Sequence, residues 1–318
     1  MKRLGALEAL GRGIANVRGN LELVGVSAGG SLVVLAVVLL TLVPAFGLGG
    51  DELASLLGLT SGEASPGDLA TLLSRSWAVV TNLWSVVLAL GIGMTLGSLV
   101  FSWYFGGVLA VLVAGEAQAP PGGGRGGELF RTWSWRFFLG EATRLVWRVL
   151  FFYSLWLLFV LFAVLLLGAL IVLAVVVGSR AGAGTGFALG CGGALPLTFL
   201  LFAVLGAMHL GQVQLVAPAS GVGAATRAGV ALLGRRLAAV VALFALFFAT
   251  SLAIGLAEAG AGLALSGALA GQPLAHGVAQ GLLLVVQLMV SAFLNLLLVA
   301  SFVALARSER RLEPEAAA

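Results

Sequence analysis

Residues 149–177 read "VLFFYSLWLLFVLFAVLLLGALIVLAVVV", with no charged side chain between Arg148 and Arg180. About 20 apolar residues let a helix cross a hydrocarbon core roughly 30 Å thick. In that medium only helices and closed barrels satisfy every backbone N–H and C=O. Barrel strands would be about 10 residues long with strict alternation, a pattern this stretch lacks. It reads as a transmembrane helix. Working outward, comparable apolar runs fall near 23–47, 77–105, 187–216, 237–257 and 282–306. The whole chain is 60% hydrophobic and 9% charged, where a soluble domain carries about 25% charged residues. The expected fold class is all-α, a polytopic membrane helical bundle of six transmembrane helices, with 1–318 as a single membrane domain.

Lys2 and Arg3 before the first run raise the question of a signal peptide. The run is longer than a signal's apolar region of roughly 7–15 residues and lacks a small-x-small cleavage site, so it reads as a retained span. Orientation follows from the cations. Fifteen of the 17 Lys and Arg residues fall in the N-terminus, the segments after the second and fourth spans, and the C-terminus. Only Arg75 and Arg180 fall on the other side. Both termini are therefore expected in the cytoplasm. Sixteen Arg against one Lys, with abundant Ala, Gly and Leu, fits a GC-rich bacterial genome, so the expected location is the bacterial cytoplasmic (inner) membrane.

The cationic side holds amphipathic stretches. Wound as a helix, 128–137 places Leu129, Phe130, Trp133 and Phe137 on one face, with Arg131 elsewhere, Arg136 at its edge and Trp135 pointing away. Such a helix forms an interfacial collar, aromatic side in the acyl boundary and Arg towards headgroups, or docks a partner protein. Phe130, Arg131, Trp133, Trp135, Arg136 and Phe137 are the candidate contacts. The preceding "AQAPPGGGRGG" (117–127) reads as a flexible linker, and 117–148 as cytoplasmic linker plus amphipathic helix. A nucleic-acid surface would need a larger basic field and a recognisable module. Trp77 and Trp84 against Trp103 and Tyr104 fit aromatic belts around the second span, and 106–114 is expected to bend at Gly106-Gly107. In 1–22, Leu4, Leu7, Leu10, Ile14, Val17 and Leu21 recur at helical steps, as an N-terminal amphipathic helix. Residues 223–236 form a weaker third version, and 307–318 a polar tail. The chain can thus be parsed as three units, each a surface helix followed by two spans.

The runs "FGGVLAVLVAGE" (105–116), "GELFRTWSWRFF" (127–138) and "QLVAPASGVGAATRAGVALLGRR" (214–236) resemble the bacterial six-span membrane domains found with glycerophosphoryl diester phosphodiesterases, and related membrane families. The resemblance covers most of the chain. It departs where "RAGVALL" (227–233) stands in place of an Arg-Ser-Trp-like turn. It implies a six-span membrane fold. The hydrolytic activity does not carry over, because the residues that perform it are not among these 318.

Chemistry is sparse. His209 and His276 fall on opposite sides, and neither a His-Glu-x-x-His motif nor a Walker phosphate loop appears. No metal, cofactor or catalytic set is expected. Cys191 is the only cysteine. Ionisable residues within spans are the default functional pointers in membranes, which singles out His209 and, at the outer end of the fifth span, Glu258. Gln280, Gln287, Ser291 and Asn295 form one polar stripe along the last span, as glue between helices or as the lining of a pathway. Gly190, Gly192, Gly193 and Pro196 mark a candidate helix break in the fourth span, as in transporters, or an ordinary kink. Gly93 and Gly97 would let the second span pack closely on a neighbour. The expected function is a non-catalytic membrane-embedded subunit or scaffold engaging membrane lipid, a partner protein or a homo-oligomer. The alternative is a permease-like transport component.

Overall fold

The computed structural model describes residues 4–46, 83–120, 127–217, 221–269 and 272–310. Among these there is no strand. The helices are α1 (Ala6–Gly19), α2 (Glu22–Phe46), α3 (Leu83–Gln118), α4 (Trp135–Ala181), α5 (Ala183–Leu215), α6 (Val222–Ala268) and α7 (Pro273–Arg310), with a 3-10 turn at Gly127–Phe130. All but α1 include a segment long and apolar enough to cross a membrane, six in total. The segment 48–76 between the first two apolar runs lies outside the described residues, as do Trp77 and 311–318.

Contacts divide the chain into two compact units, Gly29–Ser102 and the remainder, Met1–Ala28 with Trp103–Ala318. In the smaller unit α2 and α3 meet at the two glycines singled out from sequence. A Cβ on Gly97 would sit 3.3 Å from Val38 and 3.4 Å from Val34, and one on Gly93 would collide with Thr41.

In the larger unit α4 and α5 form an antiparallel hairpin. α4 starts at Ser134, whose Oγ accepts from the Phe137 N–H at 3.2 Å, an N-cap. It ends at Gly182, whose φ of +99° reverses the chain in a conformation that costs other residues strain. One register then runs the length of the pair: Gly178 faces Gly186, Ala174 faces Gly190, Leu170 covers Gly193 and Phe152 covers Gly211. α6 packs antiparallel on α5, and α7 on α6.

Burial is concentrated at one end of this unit. On α4 the buried side chains run from Phe138 to Trp156, and beyond them only Ala163 is buried. On α6 burial stops at Phe247, and on α7 it resumes at Ala292. The packed end also carries Arg12, Arg144, Arg148, Arg236 and Arg307; the opposite halves of α4 to α7 present apolar side chains outward on nearly every face.

Four expectations change. Residues 128–137 are not one helix: 131–134 are non-helical, and 135–148 continue into the span as part of a 47-residue α4, about 70 Å at 1.5 Å per residue. No bend occurs at Gly106-Gly107, where α3 stays helical. Both glycines instead admit α4, since a Cβ would sit 3.1 Å from Leu145 Cβ or 2.5 Å from the Phe138 ring. α5 is not broken at Gly190, Gly192, Gly193 and Pro196 but is continuous, with Pro196 inside it. Gly190 and Gly193 form the seam against α4, while Gly192 faces open space. The fifth and sixth apolar runs, expected at 237–257 and 282–306, extend as helix into much of the stretch between them, in α6 and α7. The kink that does occur is in α6 at Arg236 (φ −129°, ψ 17°), where the expected surface helix 223–236 meets the fifth span.

Candidate functional site: a polar platform at the arginine-bearing end

Two buried ion pairs organise the packed end. Arg12 of α1 meets Glu116 near the end of α3 at 2.7 Å, with side-chain exposures of 11% and 3%. Its Nε donates to the same oxygen at 2.8 Å, a terminal nitrogen donates to the Pro120 carbonyl at 3.3 Å, and the guanidinium lies 5.4 Å from the Phe130 ring centroid. Arg236, at the α6 kink, pairs with Glu309 of α7 and donates to the Leu4 carbonyl (3.3 Å) and the Ser308 hydroxyl (3.2 Å). Desolvating a charge costs several kcal/mol, and these extra bonds offset part of that. Counting charges for orientation says nothing of whether Arg12 and Arg236 are buried. The missed signal is acidic: Glu116 and Glu309 lie on the same side as the Arg excess.

α1 is bedded largely on an edge of small and amide residues. Ala9, Gly13, Asn16 and Asn20 are buried together with Val17 of the expected apolar face, whose Leu4, Leu10 and Ile14 are half-buried and whose Leu7 and Leu21 are 71% and 56% exposed. Gly13 brings α1 against Ser301 of α7: an added Cβ would lie 2.6 Å from its hydroxyl. Asn20 then fixes the non-helical turn. Its Nδ2 donates to the carbonyls of Asn16 (3.0 Å) and Phe130 (2.8 Å), and its Oδ1 accepts the N–H groups of Thr132 and Trp133, both at 3.0 Å. Thr132 Oγ1 donates to the Val111 carbonyl (2.9 Å) and Asn16 Nδ2 to the Leu112 carbonyl (2.8 Å). A buried, non-helical backbone is tolerated only where its polar groups are so satisfied.

The six candidate contact residues separate. Phe130 is core, beneath Arg12. Trp133 and Trp135 stack edge-on at 5.1 Å, and both meet Phe138, which also touches Trp103. Trp135 is 61% exposed, with Phe137, Arg131 and Arg136 exposed nearby; Arg131 pairs with Glu22 at 3.3 Å. These five residues form an aromatic and basic surface patch.

His209 joins a chain through the interior. Tyr153 of α4 donates its hydroxyl to Gln212 Oε1, so the Gln212 amide nitrogen faces His209 Nδ1 at 3.2 Å and donates to it. The imidazole stacks on Phe302 of α7 at 5.1 Å. Closer to the end of α5, Arg144 bonds the Val216 carbonyl and Arg148 the Ala217 carbonyl, each at 3.1 Å. Cations there complement the last carbonyls of a helix.

The polar stripe is not brought together with anything. Gln280 is half-buried, Gln287, Ser291 and Asn295 are exposed, and no hydrogen bond of theirs is found among the described residues. Glu258 is half-buried on the outward half of α6, and His276 lies in the first turns of α7. No group of three His, Cys, Asp or Glu side chains among the described residues is arranged to hold a metal ion. One motif went unread in the sequence: "GVSAG" (25–29) has the Gly-x-Ser-x-Gly spacing of a serine nucleophile elbow. That elbow is a sharp strand-to-helix turn, whereas these residues lie inside α2.

No protein-family model, no curated protein and no solved structure matches the chain.

Proposed function

We propose that this chain is a non-catalytic integral membrane protein, a subunit or scaffold of the bacterial cytoplasmic membrane that engages lipid or a partner protein at its arginine-bearing end. One observation carries the reading. Tight side-chain packing and both buried ion pairs are gathered at that end, beside a patch of exposed Arg131, Trp135, Arg136 and Phe137 with half-buried Trp133. A rigid base carrying an aromatic and cationic rim suits a surface that meets headgroups or another protein. The Arg asymmetry supports a cytoplasmic orientation for this end and both termini. The resemblance to phosphodiesterase-associated six-span domains agrees with a non-hydrolytic membrane role.

The test is native mass spectrometry of the full chain extracted gently from its own membrane. A stoichiometric protein or fixed oligomer supports the reading. Release of a lone chain with neither partner nor lipid overturns it.

A second reading, a permease-like component, draws on the polar stripe, because Gln287, Ser291 and Asn295 make no hydrogen bond to a neighbouring helix among the described residues. Joint replacement of Gln287 and Asn295 by Leu separates the two. A pathway would lose activity in a folded protein; a scaffold would not.

A further inference from the structure

α4 fixes how far the aromatic patch stands from the bilayer. It is one continuous helix from Trp135 to Ala181, and no charge lies between Arg148 and Arg180. That charge-free stretch is longer than a hydrocarbon core of about 30 Å requires, even for a helix tilted by about 40°. The core therefore ends at Val149 or further along the helix, on the far side of Arg148 from the patch. Trp135 lies 14 residues before Val149. That is about 21 Å along the axis, and about 16 Å along the bilayer normal at a 40° tilt. The headgroup layer on each side is only roughly 5–8 Å deep. Trp135 stands in water, clear of the headgroups.

Trp147 and Phe151 take the interfacial role instead. Their ring centroids are 6.4 Å apart, and they are 59% and 62% exposed where the charge-free stretch begins. An aromatic belt belongs at that level. The patch around Trp135, with Phe137 and Leu139 also exposed, needs another explanation. Apolar surface held out in water marks a site of protein contact, and Trp and Arg dominate the energetics of such contacts.

Charge narrows the partner. Arg136 is exposed and makes no ion pair among the described residues. Arg131 is held by a single 3.3 Å pair with Glu22, its side chain 66% exposed. With Arg18, exposed beside the same turn, these arginines outnumber the nearby carboxylates Glu22 and Glu128. A two-fold contact with a second copy would set this cationic rim against itself, so the patch calls for a different, acidic chain.

We propose that this patch is the docking surface for a segment of a water-soluble protein that presents apolar side chains beside carboxylates, the apolar groups on Trp135 and Leu139 and a carboxylate on Arg136. The proposal rests on the reading that the arginine-bearing end engages lipid or a partner protein, and it selects the partner.

The test uses the full chain in phosphatidylcholine nanodiscs. With Cys191→Ser as background, a nitroxide at Trp135→Cys or Phe162→Cys reports its access to oxygen and to a water-soluble nickel chelate. Position 162, in the middle of the charge-free stretch, is expected to favour oxygen, and position 135 the chelate. An oxygen-favoured signal at 135 would overturn the proposal while leaving the lipid form of the scaffold reading standing. A labelled amphipathic peptide with Leu on one face and Glu on the other is then titrated, beside its Leu/Lys and Ser/Glu counterparts, with binding to protein-free discs subtracted. The Leu/Glu peptide is expected to bind about tenfold more tightly than either counterpart. Trp135→Ser should weaken it by about tenfold, and Arg136→Glu should abolish the preference over Leu/Lys. Equal binding of the three peptides, or indifference to both substitutions, would overturn the proposal.

Discussion

Arg12 and Glu116, separated by 104 positions in the chain, meet at 2.7 Å with both side chains almost wholly withdrawn from solvent. The pair ties α1 to the end of α3. Removing one partner strands a buried charge, which costs about 3–5 kcal/mol. Arg12→Ala is therefore expected to lower the detergent-phase unfolding midpoint sharply. Arg12→Met with Glu116→Leu removes both charges and should recover much of that loss. A double variant no more stable than Arg12→Ala would contradict this account.

Asn20 supports the turn before α4 with three bonds, donating to the Phe130 carbonyl and accepting the Thr132 and Trp133 N–H groups. Asn20→Leu leaves the Thr132 and Trp133 N–H groups without partners, at about 1–3 kcal/mol each. Asn20→Asp keeps the acceptor for both. Hydrogen exchange at Thr132 and Trp133 is the readout: fast in the Leu variant, slower in the Asp variant.

Two helical glycines, Gly107 of α3 and Gly11 of α1, should respond oppositely to substitution. A Cβ on Gly107 would sit 2.5 Å from the Phe138 ring, whereas one on Gly11 meets nothing within 4 Å. Gly107→Ala is expected to destabilise by about 1–3 kcal/mol through overpacking. Gly11→Ala, in the middle of α1, should stabilise by up to roughly 1 kcal/mol through propensity. Thermal unfolding of the two variants checks the sign of each.

The Tyr153–Gln212 hydrogen bond joins α4 to α5, while Gln287 and Asn295 have no such bond among the described residues. Tyr153→Phe should cost about 1 kcal/mol. Gln287→Leu with Asn295→Leu should leave stability unchanged or slightly raised. A large loss in the second case would mean that the stripe does hold helices together.

These contrasts mark what was legible beforehand. Six spans were readable because apolar length is a local property, and their number and most of their centres hold. The collar helix 128–137 was misread because its periodicity is genuine, yet Asn20, far away in sequence, offers Thr132 and Trp133 better partners than a helix would. The apolar face of α1 was visible and its buried edge was not. Small and amide side chains at 9, 13, 16 and 20 carry no hydrophobic signal, although they allow close approach and satisfy backbone. The run around Gly190 and Gly193 looked like a flaw in one helix, and only the facing Leu170 and Ala174 show it to be a seam between two. Arg12 and Arg236 entered the charge asymmetry like any other cation. That count carries no information about which cations are withdrawn from water.

The reach of Arg236 to the Leu4 carbonyl, Ser308 and Glu309 has a consequence for biogenesis. A chain emerging from the ribosome produces α1 first and α7 last, yet α1 beds on Ser301 and shares its clamp with Glu309. The earliest helix must wait, unpartnered on one edge, until the final span has been inserted. Closure of the packed end thus waits on insertion of α7, and truncation within α7 is expected to release α1 as well.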